Sequence, residues 1–280
     1  MRFPRPGAVR QASGLAARVA LSLYLVLIVG LLVLPVLLVL AASFNGGLAA
    51  SFDPGSWSLD AYGAVPPAYW DSLWVSFCAA FWATFISLAL TVPAAWAMVR
   101  GRLAERRLIG HLVLLPDAVP PLTLGIALLA LFIPLGLSDS FAGVLIALTL
   151  LSLSMGLRFS EALIEGVPEE MEQAAVSMGA GRFTAFLTVS LPMIAPGLGI
   201  AALFIFVQGL VAFELLFFIS GPGAMPISVR LFTDIVDRGV LPQAIAMSAI
   251  LVYVALAFYM LVATTMGVRY VSSGLLSRRG

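Results

Sequence analysis

Residues 167–179 read V-P-E-E-M-E-Q-A-A-V-S-M-G, and this segment separates two long apolar runs. Pro168 suits the first position of a helix, the glutamates after it complement a helix N-terminus, and Gly179 can end the helix. The apolar residues follow i, i+3, i+4, i+7 spacing and form one stripe, made of Met171, Ala174, Ala175 and Met178. Gln173 and Ser177 fall on a different face. The pattern predicts a short amphipathic helix with small side chains at the middle of its apolar face.

The connection around this helix, residues 161–191, is rich in acid. It carries five glutamates: Glu161, Glu165, Glu169, Glu170 and Glu172. An amphipathic helix that lies on lipid headgroups uses basic residues, because anionic lipid repels carboxylates. The charge pattern therefore favours a protein partner for the helix over the membrane surface.

The composition of the chain places it in a membrane. Hydrophobic residues make up 61% of it and charged residues 10%, and the mean hydropathy is +1.08. About 20 apolar residues span a bilayer as a helix. Six segments reach that length: residues 17–43, 72–98, 110–135, 141–160, 192–220 and 242–267. We therefore expect an all-α polytopic membrane protein in which residues 1–280 form a single transmembrane domain.

The first apolar segment could be mistaken for a signal peptide. Its uninterrupted apolar stretch, Val19 to Ala42, is longer than the 7–15 residues of a signal-peptide core, so we interpret it as an uncleaved membrane anchor.

Arginine distribution predicts the orientation in the membrane. All fifteen basic residues are arginine, and thirteen of them lie before or at the start of the first span, after the last, or in or beside the connections after spans two and four. Only Arg230 and Arg238 lie in the alternate connections. By the positive-inside rule, both termini and residues 161–191 are cytoplasmic. The segment 44–71, with three aspartates and several aromatic residues, is then extracytoplasmic.

The sequence lacks the residues that several chemical functions require. Without lysine the chain cannot form a phosphate-binding G-x-x-x-x-G-K-[ST] loop, so ATP, if used, binds elsewhere. Cys78 is the only cysteine and His111 the only histidine, which leaves no zinc ligand set and no serine hydrolase triad. The dispersed arginines indicate no nucleic-acid surface. We expect no catalytic residue, metal or cofactor.

Three polar residues at membrane depth are candidates for a substrate path. Intramembrane carboxylates are costly and usually face a cavity, a partner or an ion path. Glu214 falls well inside the fifth span, which favours a path or interface role. Asp117 has a second interpretation, since it could cap backbone groups freed by neighbouring prolines. Gln208 is about 120° from Glu214 around an ideal helix, so the two need not share a surface.

The cytoplasmic connection resembles the EAA loop of binding-protein-dependent ABC importer permeases. That pattern reads E-A-A, three residues, G, nine residues, then I-x-L-P. This chain has the alanine pair, the glycine, the spacing and the final Leu-Pro, at Ala174, Ala175, Gly179, Leu191 and Pro192. It departs from the pattern at Gln173, where the family usually has glutamate, and at Val189. Glu172 beside Gln173 could supply the charge.

The resemblance implies a type I importer permease with six transmembrane helices. Its coupling helix, with Glu172, Gln173 and Met178 beside the matched residues, would dock on an ABC ATPase. Implied partners are two ATPase subunits, an extracytoplasmic binding protein, and a second permease, either a sister chain or an identical copy. The implied location is the bacterial inner membrane. An ATPase-independent channel is a remote alternative, because a channel does not require such a helix.

The cargo follows less directly from the sequence. The resemblance to these permeases extends beyond the loop, to L-L-P-x-x-x-P-P at residues 114–121 and P-I-S-V-R-L-F at residues 226–232. In general similarity the chain looks closest to the polyamine, ferric-iron and phosphonate branch of the family. Acidic groups in the path would suit a polyamine such as spermidine or putrescine. Ferric iron, phosphonate or another small solute remains the alternative.

Overall fold

The computed structural model describes residues 6–44, 57–101, 106–262 and 264. Helices dominate this part of the chain: α1 (Pro6–Ala42), α2 (Asp60–Gly63), α3 (Pro67–Arg100), α4 (Arg106–Ala118), α5 (Pro121–Leu135), α6 (Phe141–Glu165), α7 (Glu169–Ser177), α8 (Arg182–Ala185), a π-helical turn (Phe186–Ser190), α9 (Leu191–Val211), α10 (Leu216–Ile219), α11 (Ile227–Arg238) and α12 (Pro242–Val262). Among the described residues, five helices are long and apolar enough to cross a membrane, and α4 with α5 would make a sixth span. The prediction of an all-α polytopic protein is confirmed.

The chain divides into two compact units, Met1–Val65 with Val240–Val252, and Pro66–Gly239 with Tyr253–Gly280. In the first unit, the Ser43 hydroxyl donates a hydrogen bond to the Leu40 carbonyl at 2.6 Å. Phe44 follows it and packs on Trp57, with ring centroids 6.4 Å apart. These contacts fix the end of α1 to an aromatic cluster in the predicted extracytoplasmic segment.

Small and hydroxylated residues join α3 to α6 in the second unit. The Ser87 hydroxyl donates to the Ser152 carbonyl at 2.9 Å. A Cβ atom at Gly156 would lie 2.7 Å from the Ser87 hydroxyl and 2.8 Å from the Thr91 hydroxyl. Close backbone approach and hydroxyl hydrogen bonds replace the hydrophobic effect as the source of helix association in a bilayer. This helix pair is therefore tightly packed.

The predicted third span is not one continuous helix, so that prediction was wrong in its geometry. Helix α4 ends at Ala118, α5 begins at Pro121, and the two axes differ by 114°. Proline at 120 and 121 explains the break, because proline lacks the amide donor and disfavours α geometry in the residue before it. Hydropathy predicted the length of this apolar segment but not the change of direction between α4 and α5.

The predicted fifth span also differs from the structure. Helix α9 ends at Val211, residues 212–215 are not helical, and α10 is only one turn long. The Ala212 carbonyl accepts a hydrogen bond from the Ser228 hydroxyl at 2.6 Å. Gly125 of α5 lies so close to the break that a Cβ atom there would be 2.7 Å from the Leu215 carbonyl oxygen. Tertiary contacts thus stabilise a discontinuous helix, which membrane proteins tolerate where protein surrounds the freed groups.

The chain after the break is fastened to the connection between α5 and α6. Asp139 has a positive φ of 56°, and its carboxylate accepts a hydrogen bond from the Gly223 amide at 2.8 Å. The Asp139 amide donates in turn to the Ile219 carbonyl at 2.9 Å. Gly221 and Gly223 leave room for this contact, since a Cβ atom on either would lie 2.6 Å from an Asp139 atom.

Candidate functional site

The predicted cytoplasmic helix is present as α7, Glu169–Ser177. Pro168 is the residue before the helix and has extended geometry, so its predicted place inside the first turn was one residue off. Gly179 ends the helix with a φ of +98°. The Gly179 amide donates to the Val176 carbonyl and the Ala180 amide to the Ala175 carbonyl, at 2.9 and 3.1 Å. These two bonds form a Schellman motif, which requires a left-handed residue at this position.

Glu172 lies on the inner face of α7, which packs against the rest of the protein, and it is only 7% exposed. Its carboxylate forms an ion pair with the Arg100 guanidinium, with Nε and Oε1 3.2 Å apart. The Trp96 indole donates to the other carboxylate oxygen at 3.1 Å. The Ser190 hydroxyl also donates to Oε1. Three donors therefore satisfy a carboxylate that would otherwise be costly to bury.

Arg100 is the last residue of α3, and it also binds the end of α6. Its Nη2 atom donates to the Ile164 carbonyl at 3.0 Å and to the Val167 carbonyl. Carbonyls at a helix C-terminus lack partners within their own helix, and an arginine can supply both the hydrogen bonds and the positive charge. Arg100 thus connects α3, α6 and the Glu172 carboxylate.

Ser190 reaches Glu172 from the π-helical turn at residues 186–190. Leu191 and Pro192 follow, and a proline in the first turn of a helix leaves a carbonyl of the preceding turn without its usual donor. A π turn holds one residue more than an α turn and often occurs at functional positions. Ser190 is fully buried. The variable position of the V-S-L-P sequence is therefore the one that contacts α7.

Aromatic packing surrounds the indole of Trp96. Its ring lies 5.0 Å from the Phe186 ring and 6.3 Å from the Phe183 ring, centroid to centroid. Because Phe183 and Phe186 belong to the segment that leads into α9, these contacts fasten that segment to α3. The hydrogen bond from Trp96 to Glu172 then extends the same contact to α7.

The environment of Glu172 also determines its charge. Burial raises the pKa of its carboxyl, but hydrogen bonds from Ser190, Trp96 and Arg100 and the charge of Arg100 outweigh burial and hold the pKa below its ordinary value of 4.5. A carboxyl with a lower pKa in the folded state stabilises that state above its unfolded pKa. That contribution is lost as the pH falls through the folded pKa. The ion pair is therefore present throughout the neutral range.

The apolar stripe of α7 faces outward, apart from one residue. Ala175 is buried, whereas Met171 is 46% exposed, Ala174 is exposed and Met178 is 83% exposed. The sequence grouped all four on one face, but the inner face is set by Glu172 and Ala175. We call Met171, Ala174 and Met178 the docking face. Exposed apolar side chains grouped on a short helix are typical of a protein interaction site.

Gln173 and Ser177 lie on another side of α7, as the sequence predicted. The Gln173 amide donates to the Glu169 carboxylate at 3.1 Å, and the Ser177 hydroxyl donates to the Gln173 carbonyl at 2.9 Å. They line a polar groove of about 620 Å³ between α7 and the end of α3, to which Arg182 also contributes. Gln173, in the position of the family's glutamate, is thus engaged within α7 itself.

The three candidate path residues lie in three different environments. Glu214 lies in the break after α9 and is exposed, so its predicted place inside a helix was wrong, and the 120° angle to Gln208 does not apply. Asp117 forms an ion pair with Arg158 of α6 at 3.2 Å. Gln208 lies in α9, and its buried side-chain oxygen has no hydrogen-bond partner among the described residues.

Trp96, Arg100 and Ser190 were not predicted as site residues. Charge complementarity gave a partial signal, because Arg100 ends a long apolar segment on the side of the membrane where the glutamate-rich connection 161–191 is predicted to lie. Trp96 lies one helical turn before Arg100, and Ser190 occupies a position that the motif leaves open. Neither of these two has a distinguishing pattern in the sequence.

Together, the long apolar helices and the anchored helix α7 with its exposed apolar residues define a polytopic membrane protein. No family model matches the chain. A protein of Streptomyces antibioticus, ORF1, named as an ABC transporter permease, is 31% identical over 194 residues, which cover 69% of this chain and 82% of that protein. The chain therefore belongs to the ABC transporter permeases, and within them to the type I importer permeases.

Two further relatives are transport permeases. The sulfoquinovosyl glycerol transport system permease protein SmoH of Agrobacterium fabrum is 31% identical over 163 residues, 57% of each chain. The sulfate transport system permease protein CysT of Synechocystis sp. is 30% identical over 182 residues, 61% of this chain and 59% of that protein. The chain thus matches somewhat more than half the length of these two relatives.

A solved structure supports the fold independently. A chain of a bacterial ABC transporter involved in import of the acidic polysaccharide alginate superposes with a TM-score of 0.70 at 19% identity. The match covers 95% of this chain and 99% of the other. The type I importer permease fold is therefore confirmed.

Proposed function

We propose that this protein is the membrane-spanning subunit of an ATP-driven, binding-protein-dependent importer, and that α7 docks on a separate ATPase. The observation that carries the proposal is the division of α7 into two faces. Glu172 anchors one face through buried polar contacts, while Met171, Ala174 and Met178 are exposed on the other. A helix held so firmly, with apolar residues left outside, is suited to transmit force from a bound partner.

The ATP site of such an importer lies outside these 280 residues, because they contain no lysine for a phosphate-binding loop. ATP binding would close an ATPase dimer and bring two coupling helices together, one from each permease of a pair. The permeases would then change from an inward-facing to an outward-facing state, which a loaded binding protein on the outer side favours as well. Ligands that prefer one state drive such a two-state change.

Two proposals compete for the cargo. The prediction of a polyamine relied on acidic residues, but Asp117 forms an ion pair with Arg158, which leaves Glu214, exposed in the break after α9, as the other acidic candidate. The relatives named for sulfate, molybdenum and sulfoquinovosyl glycerol transport favour a small oxyanion over a cation, and two of these three cargoes carry a sulfur–oxygen group. We therefore propose a small sulfur oxyanion or sulfonate as the substrate class, with a polyamine as the second candidate.

The central experiment is reconstitution with the ATPase encoded nearest to this chain. The wild-type permease should purify with the ATPase in a stoichiometric complex, and Met178→Glu should weaken that complex at least tenfold by placing a charge in the apolar contact. Met178→Leu, which keeps an apolar side chain at the same position, is the control and should leave the complex intact. A wild-type permease that transports solute without any ATPase would contradict the proposal and favour a channel.

Cargo is tested in the same proteoliposomes with the binding protein added. Uptake of labelled sulfate or a sulfonate, with no uptake of putrescine, would support the anion. Putrescine uptake alone would restore the polyamine prediction. Either result leaves the docking of α7 as an independent question, because both cargoes would need the same ATPase contact.

A further inference from the structure

One buried ion pair holds together the cytoplasmic ends of the helices around α7. Arg100 ends α3 and donates to two carbonyls at the end of α6, while Glu172 belongs to α7 and accepts from Ser190, next to the start of α9. The side chains of Arg100 and Glu172 are 13% and 10% exposed. The pair is thus the shared contact of four helical elements.

The position of Glu172 separates its role from docking. It points to the inner side of α7, while the docking face of Met171, Ala174 and Met178 points outward. Its three donors all come from this chain, so a bound ATPase would not need to contact it. A defect at Glu172 therefore acts on what happens after docking.

The contacts are also directional. A carboxylate with donors on both oxygens cannot rotate freely, and Arg100 uses separate nitrogen atoms for Glu172 and for the α6 carbonyls. Charge-assisted hydrogen bonds are the shortest and strongest of their kind and fix geometry as well as distance. By contrast, the apolar contact of Ala175 alone would allow α7 to slide.

We propose that Glu172, paired with Arg100, is a positioning residue that makes α7 and the cytoplasmic ends of α3, α6 and α9 move as one rigid body. This inference relies on the proposed docking of α7 on an ATPase. It adds that force on α7 reaches the membrane helices through this ion pair. Without the pair, the ATPase still binds and hydrolyses ATP, but the permease no longer follows its motion.

The first test measures solute transported per ATP hydrolysed in the reconstituted complex. Glu172→Gln and Arg100→Gln should keep ATPase binding within about twofold of wild type and retain at least half of the ATPase rate, while uptake per ATP falls at least tenfold. Glu165→Gln, an exposed carboxylate at the end of α6, is the matched control and should leave the ratio unchanged. Binding, hydrolysis and uptake that fall in parallel would show a merely structural role and overturn the proposal, as would an unchanged ratio.

The second test measures rigidity in the unaltered network and does not depend on those variants folding. Spin labels at Ala162 of α6 and Ser177 of α7, in a chain with Cys78→Ser, report the distance between the two helices. The proposal requires the same distance without nucleotide and with ATP bound. A distance that changes with ATP in this otherwise intact protein overturns the proposal. Failure of the wild type to bind any ATPase would instead overturn the proposed function.

Discussion

Asp139 and Gly223 are joined across 84 residues by one hydrogen bond, in which the carboxylate accepts from the glycine amide at 2.8 Å. The bond fastens the chain after α10 to the connection between α5 and α6. Asp139 also adopts a left-handed conformation, which asparagine and aspartate tolerate better than other side chains.

This contact predicts a difference between two substitutions. Asp139→Ala loses the acceptor and carries the left-handed backbone at greater cost, so the unfolding free energy should fall by about 1–3 kcal/mol. Asp139→Asn keeps an oxygen acceptor and the conformational tolerance, so it should stay close to wild type. Denaturant titration in detergent measures both, and equal losses for alanine and asparagine would contradict the role of the hydrogen bond.

A substitution at Gly156 tests how closely α3 and α6 pack. A methyl group there would lie 2.7 and 2.8 Å from two hydroxyls, so Gly156→Ala should destabilise the protein by about 1–3 kcal/mol through overpacking. Gly30→Ala is the control, because nothing lies within 4 Å of a Cβ atom at that position of α1. Thermal unfolding in detergent measures both variants. A stable Gly156→Ala protein would mean that α3 and α6 are less closely packed than described.

Substitutions at Gly179 test the role of the C-terminal end of α7. At a φ of +98° a bulky residue is strained, so Gly179→Arg should disrupt the Schellman motif and abolish uptake while the protein still inserts. Gly179→Asn, which tolerates positive φ better, should keep a larger share of the uptake. Uptake assays with a membrane-insertion check measure the effect. Normal transport by inserted Gly179→Arg would exclude a coupling role for this end of α7.

A substitution at Glu214 tests whether the rate of uptake depends on an interaction with the charge of the cargo. Glu214→Gln keeps shape and hydrogen-bonding capacity but removes the charge, so it should slow a cationic cargo and affect a neutral or anionic one far less. Uptake and substrate-stimulated ATPase activity in proteoliposomes measure the difference. Unchanged kinetics with a verified cation would show that Glu214 is no electrostatic part of the path, and loss of assembly would assign it to a subunit interface.

The arginine asymmetry predicts the orientation. Reporter fusions near residues 104 and 175 should give cytoplasmic signals, and fusions near residues 60 and 228 should give external ones, since thirteen of fifteen arginines lie on one predicted side. An external signal from residue 175 would separate α7 from any ATPase.

Hydropathy predicted where apolar helices occur, because burial in lipid depends on local composition. For each of α3, α6 and α9, at least one predicted end lies within a few residues of the observed end. The sequence motif located α7. The break at residues 212–215 has no proline, and it depends on Ser228 and Gly125, which are distant in sequence. Such a break cannot be read from local pattern.

The inward orientation of Glu172 could not be predicted from the sequence either. The sequence placed it beside the apolar stripe, where an exposed carboxylate was as consistent with the spacing as a buried one. Its burial depends on Arg100, 72 residues earlier, and on Ser190, 18 residues later. Side-chain partners of that kind emerge only when the helices pack.

The π turn at residues 186–190 sets the rotational phase between α7 and α9. Each residue of an α-helix turns the chain by about 100°, so removing or adding one residue between Gly179 and Pro192 would rotate everything that follows by that angle. Ser190 would then point away from Glu172, and the residues of α9 that face the protein would face lipid. Length variation in this stretch should therefore be far more damaging than substitution, even though half of its side chains are exposed.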